Sequence, residues 1–137
     1  MKNIAIKENH LYNKAYKRGR SFVGKLVAVY ILKDYGAKRI MEQNPQKQYL
    51  NRLGLAVSKK LGGAVTRNRA KRVIRAAYDS LKDELKTGNL IVISARFAIL
   101  GKKSQDVEKE LRIGFKELDA FRGGAKLTDD ITGSQGT

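Results

Sequence analysis

Residues 58–78, SKKLGGAVTRNRAKRVIRAAY, constrain the fold of this chain more than any other stretch. Apolar residues recur from residue 70 onward at the spacing of one helical face, namely Ala70, Val73, Ile74, Ala77 and Leu81. The pattern predicts a glycine loop at Gly62 and Gly63, followed by a helix with Thr66 as its N-cap. The helix buries its apolar face and turns the opposite face outward.

The outward face of this helix is uniformly basic. Residues 58–78 contain seven cations and no acidic residue. A solvated helix face normally mixes signs, because like charges at i,i+4 destabilise a helix by a few tenths of a kcal/mol. Arginine binds phosphate in a bidentate manner, and lysine binds it as a point charge. The segment therefore predicts a polyanion-binding surface made of Lys59, Lys60, Arg67, Asn68, Arg69, Lys71, Arg72 and Arg75.

The charge of the whole chain indicates nucleic acid as that polyanion. The net charge is +16, and all of the excess lies in residues 1–78. Residues 79–137 hold ten basic and ten acidic residues. A charge concentrated in this way is typical of a nucleic-acid-binding surface. A membrane-surface helix would expose large apolar residues, whereas the apolar face of 70–81 is expected to be core.

Length and composition predict one globular RNA-binding domain at 1–121. The chain has 137 residues, 42% of them hydrophobic, and it has no cysteine and no apolar run of membrane-spanning length. Residues 122–137 lack periodicity and are predicted to be a disordered tail. We expect a cytoplasmic protein without disulfides.

The basic segment closely resembles the signature of the bacterial ribonuclease P protein subunit. The resemblance lies in Ser58-Lys59-Lys60, Gly62, Ala64-Val65, and Arg67-Asn68-Arg69 with Lys71, Arg72 and Arg75. Gly63 departs from the family pattern, in which a polar residue is common. The resemblance implies a subunit that binds the catalytic ribonuclease P RNA and the 5′ leader of precursor tRNA. The RNA would perform the cleavage with bound Mg²⁺, and no metal or cofactor site is assigned to the protein itself.

The periodicity along the chain predicts an α+β fold in the order α-β-β-α-β-α, arranged as a two-layer α/β sandwich. Helices are predicted at 9–19, from Thr66 and from Ser104, and strands at 25–33, 52–58 and 90–97. Residues 34–51 are interpreted as a long hairpin connection. The resemblance adds a mostly antiparallel sheet of about four strands and a left-handed β-α-β crossover through the basic helix.

Three tyrosines are candidates for a second binding site. Tyr12 and Tyr16 are spaced i,i+4 on the first helix among Lys14, Lys17 and Arg18. Tyrosines with this spacing usually belong to a core, but aromatic rings among cations also stack on unpaired bases. The resemblance favours the second interpretation and implies that Tyr12, Tyr16 and Tyr30 line a cleft for the leader.

No catalytic constellation is visible in the sequence. The acids of residues 1–78 are only Glu8, Asp34 and Glu42, which are scattered, and His10 is the only histidine. We therefore predict an accessory subunit of an endoribonuclease rather than a nuclease by itself. A ribosomal protein or general RNA chaperone is the alternative. A DNA-binding protein is disfavoured, because no helix-turn-helix partner precedes residues 66–85.

Overall fold

Eight regular elements make up the computed structural model, which describes residues 2–6, 9–34 and 49–122. They are β1 (Lys2–Ala5), α1 (Asn9–Arg18), β2 (Arg20–Val23), β3 (Val27–Lys33), β4 (Tyr49–Ala56), α2 (Ala64–Asp79), β5 (Asn89–Ala95) and α3 (Ser104–Glu117). Short 3₁₀ turns lie at Lys59–Leu61, Lys82–Glu84 and Phe97–Ile99. The three predicted helices and three predicted strands are all present, with ends shifted by a few residues.

The strands form one sheet in the order β1-β4-β5-β3-β2. Strand β5 pairs parallel with β4 and antiparallel with β3. The edge strands β1 and β2 pair parallel with β4 and antiparallel with β3, respectively. The α+β fold class is confirmed, and the sheet has five strands where about four were expected. The residue pattern missed β1 and β2, because each has only four residues and periodicity is weak over so short a run.

The predicted hairpin between β3 and β4 is wrong, because β5 lies between these two strands. Residues 35–48 of that connection lie outside the described residues. Strands β4 and β5 are parallel neighbours joined through α2, so they form a β-α-β unit. The left-handed crossover implied by the resemblance stays a prediction.

The two faces of the sheet carry separate hydrophobic clusters. Val27, Val29 and Ile31 of β3 pack in the larger cluster with buried residues of α2 and α3. Tyr30 and Leu32 alternate with them and pack in the smaller cluster, which contains the α1 residues Leu11 and Ala15. Successive side chains of a strand point to opposite faces. Helices α2 and α3 therefore cover one face of the sheet, and α1 crosses the other face.

Helix α2 begins three residues earlier than predicted. Its N-cap is Gly63 rather than Thr66, which lies in the first turn. The preceding 3₁₀ turn is closed by Ser58, whose hydroxyl oxygen accepts a hydrogen bond from the Lys60 backbone N–H at 3.1 Å. Gly62 ends that turn with a φ of +143°, a value that disfavours other residues. This backbone reversal, which depends on glycine, fixes where the helix starts.

The described chain ends in packed structure. Phe121 packs against the core and forms a β-bridge with Leu85, while the Arg122 guanidinium donates a hydrogen bond to the Leu85 carbonyl at 3.4 Å. Arg122, the first residue of the predicted tail, is therefore attached to the domain. The rest of that predicted tail, residues 123–137, lies outside the described residues.

Candidate nucleic-acid interface

Helix α2 presents the predicted basic surface to solvent. Asn68, Arg69, Arg72 and Arg75 are exposed, and Arg67 and Lys71 are partly buried. Ala70, Ile74, Ala77 and Tyr78 on the opposite side are buried in the larger cluster. The buried apolar face and the solvent-facing basic face of α2 are therefore the ones predicted from the helical period. Lys59 and Lys60 are also exposed, in the 3₁₀ turn just before the helix.

None of these cations forms a salt bridge within the part of the chain that the structure describes. The ion pairs found there lie elsewhere: Arg52–Asp34, Lys82–Asp79, Lys86–Asp119, Arg112–Glu84 and Arg112–Glu108. Helix α3 mixes both signs, as a solvated helix does, whereas α2 shows one sign until Asp79. The positive field of α2 is therefore available to an external anion.

A second group of cations lies at one edge of the sheet. Strands β4 and β5 are parallel and end together, since Ala56 is in register with Ser94. The Lys59–Leu61 turn and Arg96 directly follow these strand ends. The Arg96 backbone N–H donates to the Leu26 carbonyl at 2.9 Å, which brings the exposed Lys25 to the same edge. We call the four cations Lys25, Lys59, Lys60 and Arg96 the basic edge.

Glu110 of α3 anchors the turn between β2 and β3, close to the basic edge. Its carboxylate accepts hydrogen bonds from the backbone N–H groups of Lys25, Leu26 and Val27, at 2.9, 2.8 and 2.8 Å. A Cβ on Gly24 would lie 2.4 Å from the carboxyl carbon, so a larger residue there would displace this carboxylate. The sequence analysis did not identify Glu110, because a single acidic residue on a helix with charges of both signs does not indicate a hydrogen bond to residues 83 or more positions away.

Tyr12, Tyr16 and Tyr30 lie together on the α1 side of the sheet. The rings of Tyr16 and Tyr30 meet edge to face, with centroids 4.9 Å apart and an interplanar angle of 83°. Tyr16 is 40% exposed, and Tyr12 and Tyr30 are partly buried. Burial raises the pKa of Tyr16, and its neighbours Tyr30 and Tyr12 raise it further. Burial also raises the pKa of Tyr12, against a smaller opposing effect of a hydrogen bond with the Leu55 backbone.

The sheet beside the tyrosines has a floor of small residues. Gly54, Val92 and Tyr30 are in register across β4, β5 and β3. The next residues on the same face, toward the basic edge, are Ala56, Ser94 and Ala28, which are also in register. We call the surface bounded by the three tyrosines, this floor and the basic edge the tyrosine cleft. Of the three rings, that of Tyr16 is the most exposed to solvent.

The basic surface of α2 and the tyrosine cleft thus lie on opposite faces of one sheet. The apolar face of α2 packs in the larger hydrophobic cluster, whereas Tyr12 and Tyr30 pack against the smaller one. The basic edge joins them, because α2 starts there, directly after β4, and the cleft floor ends there. The structure therefore groups the tyrosines on one face of the sheet and the cations of α2 on the other. Lys59 and Lys60 lie between the two groups, at the basic edge.

The titratable groups in residues 2–6, 9–34 and 49–122 include no set of three or more His, Asp or Glu that could hold a metal ion. Asp34 is buried and forms a two-point salt bridge with Arg52, at 2.6 and 2.8 Å. This carboxylate therefore takes part in an ion pair that links two parts of the fold. Glu8 and Glu42 lie outside the described residues. No helix of the described structure is long and apolar enough to cross a membrane.

Comparison with known proteins places the chain in a family. The family model for ribonuclease P matches residues 1–119. The ribonuclease P protein component of Clostridium acetobutylicum is 37% identical over 112 residues, which cover 82% of this chain and 86% of that protein. That of Listeria welshimeri is 36% identical over 110 residues, covering 80% and 83%. The solved RNase P protein of Staphylococcus aureus superposes with a TM-score of 0.66 at 29% identity, covering 86% of this chain and 97% of that one.

The chain therefore belongs to the ribonuclease P protein family. It acts as the protein component of that endoribonuclease holoenzyme, in partnership with the ribonuclease P RNA. The resemblance inferred from the Arg67-Asn68-Arg69 segment is confirmed.

Proposed function

We propose that the protein bridges two RNAs in the ribonuclease P holoenzyme. The basic surface of α2 binds the catalytic RNA, and the tyrosine cleft binds the single-stranded 5′ leader of precursor tRNA. The observation that carries this proposal is the placement of the two surfaces on opposite faces of one sheet. A protein built in this way can hold both RNAs at once without competition between them.

The chemistry of the α2 surface suits a folded RNA. Arg67, Arg69, Arg72 and Arg75 offer planar guanidinium groups for bidentate phosphate contacts, and Lys71 adds a point charge. Neutralising phosphates releases condensed counterions, which favours binding and makes it dependent on salt. The cations of the α2 surface form no salt bridge in the described structure. RNA binding therefore breaks no intramolecular ion pair of these residues.

The chemistry of the cleft suits an unpaired strand. Nucleobases stack on aromatic rings irrespective of their identity, so a row of tyrosines binds leaders of different sequence. A tyrosine hydroxyl has an ordinary pKa of about 10 and is neutral at physiological pH, so these groups do not repel phosphate. Burial raises the pKa of Tyr12 and Tyr16 further in the same direction. The basic edge continues from the cleft floor and can contact the backbone of the same strand.

We assign the cleavage step to the RNA subunit. The three tyrosines and the cations of the two surfaces include no carboxylate or histidine that could act as a general base. The one described acid within residues 1–78, Asp34, is held by Arg52. Mg²⁺ bound by the RNA would activate the attacking water. The role of the protein is then to raise the affinity for precursor tRNA. We place this role in the bacterial cytoplasm, where tRNA precursors are made.

The proposal is tested by binding and cleavage with purified components. Protein, ribonuclease P RNA, Mg²⁺ and labelled precursor tRNA should release the leader more efficiently than RNA and Mg²⁺ alone, at moderate salt. Tyr16→Ala should cost about 1–3 kcal/mol of precursor binding and leave mature tRNA binding unchanged. Equal losses for precursor and mature tRNA would refute the cleft assignment. Accurate cleavage by RNA-free protein would refute the assignment of catalysis to the RNA.

A further inference from the structure

A cavity of about 230 Å³ opens beside α2, next to the basic surface and on the opposite face of the sheet from the tyrosine cleft. It lies between the N-terminal half of α2 and the turn that follows β5. Its apolar wall includes Val65 and Val73 from the helix and Ile99 and Leu100 from the turn, and Arg69 and Lys102 lie at its rim. None of the residues that line it is acidic.

Large apolar side chains are exposed around this cavity. Val65 is 82% exposed, Leu100 is 41% exposed, and Phe97, in the same turn as Ile99, is 60% exposed. A single exposed apolar residue is ordinary, but several around one concave site mark an interaction surface. On the described surface, the other exposed large apolar residues, Tyr16, Val23 and Ile113, belong to α1, β2 and α3.

The cavity is continuous with the basic surface of α2. Arg69, at the rim, is one helical turn from Arg72 and four residues from Val65. An apolar hollow with cations at its rim is complementary to a nucleotide, because the base is flat and largely apolar on its faces while its phosphates are anionic. Sequence-specific recognition of single-stranded RNA uses such splayed-out bases, whose flat faces pack against protein side chains. The volume is below the range of about 300–1,000 Å³ for drug-sized ligands, which suits a single base.

We propose that this cavity receives one unpaired base of the ribonuclease P RNA, while Arg69 and Lys102 bind the phosphates that flank it. The inference rests on the proposed binding of the catalytic RNA to α2. The leader is not the occupant, because the tyrosine cleft is on the other face of the sheet. The cavity then fixes the register of the RNA along α2, which phosphate contacts alone do not specify.

The first test is the affinity of the double variant Val65→Ala, Leu100→Ala for ribonuclease P RNA. Both side chains are exposed, so their truncation leaves the core intact, which thermal unfolding verifies. The expected result is a Kd raised about tenfold, within the range for loss of one base contact. The dependence on salt should be unchanged, because no charge is removed. Ile113→Ala, which truncates a 56% exposed residue of α3, is the matched control and should not change the Kd.

The second test maps unpaired bases of the RNA with dimethyl sulfate and a carbodiimide. The wild-type protein should protect one base that the double variant leaves reactive, while Lys102→Ala should lower the salt dependence by about one phosphate contact. An unchanged Kd, or a raised Kd with the same protected bases, would overturn the base cavity and leave the proposed function standing. Absence of any wild-type binding to the RNA would overturn both proposals.

Discussion

The ring of Tyr12 lies against the backbone of Gly54, so closely that a Cβ atom on residue 54 would be 2.7 Å from the ring carbons and from the hydroxyl oxygen. Glycine at this position of β4 therefore gives Tyr12 its place in the cleft. A Cβ at position 54 would contact the end of the Tyr12 side chain rather than backbone atoms. A larger residue would therefore displace the Tyr12 ring and leave strand β4 in place.

Gly54→Ala should therefore displace Tyr12 and weaken leader binding. Loss of one stacking contact is worth about 1–3 kcal/mol, so precursor tRNA should bind the holoenzyme more weakly by up to that amount. The affinity for mature tRNA should not change. The measurement is the ratio of the two dissociation constants.

Gly63→Ala is the matched control, because a Cβ there would meet no atom within 4 Å. It should leave the ratio at the wild-type value. An unaltered ratio for Gly54→Ala as well would show that the position of Tyr12 does not contribute to leader binding.

Lys71→Ala and Arg72→Ala should each weaken binding of the ribonuclease P RNA and lower its salt dependence. Each removes about one phosphate contact, so the slope of log K against log salt should fall by about one unit. The fold should persist, because the buried stripe of α2 is not altered. Filter binding over a series of salt concentrations measures both quantities.

Lys109→Ala removes an exposed cation from α3, whose surface mixes both signs, and it should leave the slope unchanged. A slope that falls equally for Lys109→Ala would mean that overall charge, rather than the α2 surface, determines binding.

Asp34→Asn should destabilise the fold without affecting the chemistry of cleavage. The side chains of Asp34 and Arg52 are only 1% and 11% exposed, and the substitution removes the carboxylate charge that pairs with the guanidinium. Breaking a buried pair typically costs about 3–5 kcal/mol of unfolding free energy. Urea unfolding measures this loss. Below the unfolding transition, the cleavage rate at saturating precursor should match that of the wild type.

Glu84→Gln provides the comparison, since it removes an exposed partner of Arg112 and should cost at most about 1 kcal/mol. A large fall in the saturating cleavage rate of folded Asp34→Asn protein would give this carboxylate a role beyond the fold.

Tyr78 should make the protein sensitive to alkali. It is fully buried against Phe115, and burial raises its pKa well above 10, opposed in part by a hydrogen bond with the Asn51 side chain. Above pH 10 the unfolded chain loses this proton and the folded chain keeps it. The unfolded state then binds fewer protons, so stability falls as pH rises, by up to about 1.4 kcal/mol per pH unit.

Tyr78→Phe removes this proton, so its unfolding free energy should fall less between neutral pH and about pH 11. Urea unfolding at the two pH values measures the difference. Equal falls for both proteins would mean that other groups account for the alkaline sensitivity.

Residues close in sequence determined much of the site. Helix α2 could be predicted because Ala70, Ile74 and Ala77 recur once per helical turn. The same spacing predicted that Lys71, Arg72 and Arg75 lie on the solvent side. The alternation of β3 likewise placed Tyr30 on the face opposite Val29. Local periodicity carries this information because a helix or strand imposes its own geometry on neighbouring side chains.

Contacts between distant residues were decided only by the tertiary structure. Insertion of β5 between β3 and β4, the Glu110 contact with residues 25–27 and the place of Tyr12 on Gly54 all join segments far apart in sequence. The apolar cavity beside Val65 likewise needs the turn after β5, some 35 residues further along the chain, to form its second wall. No local pattern encodes these pairings, because they depend on how the whole hydrophobic surface of each element is buried at once.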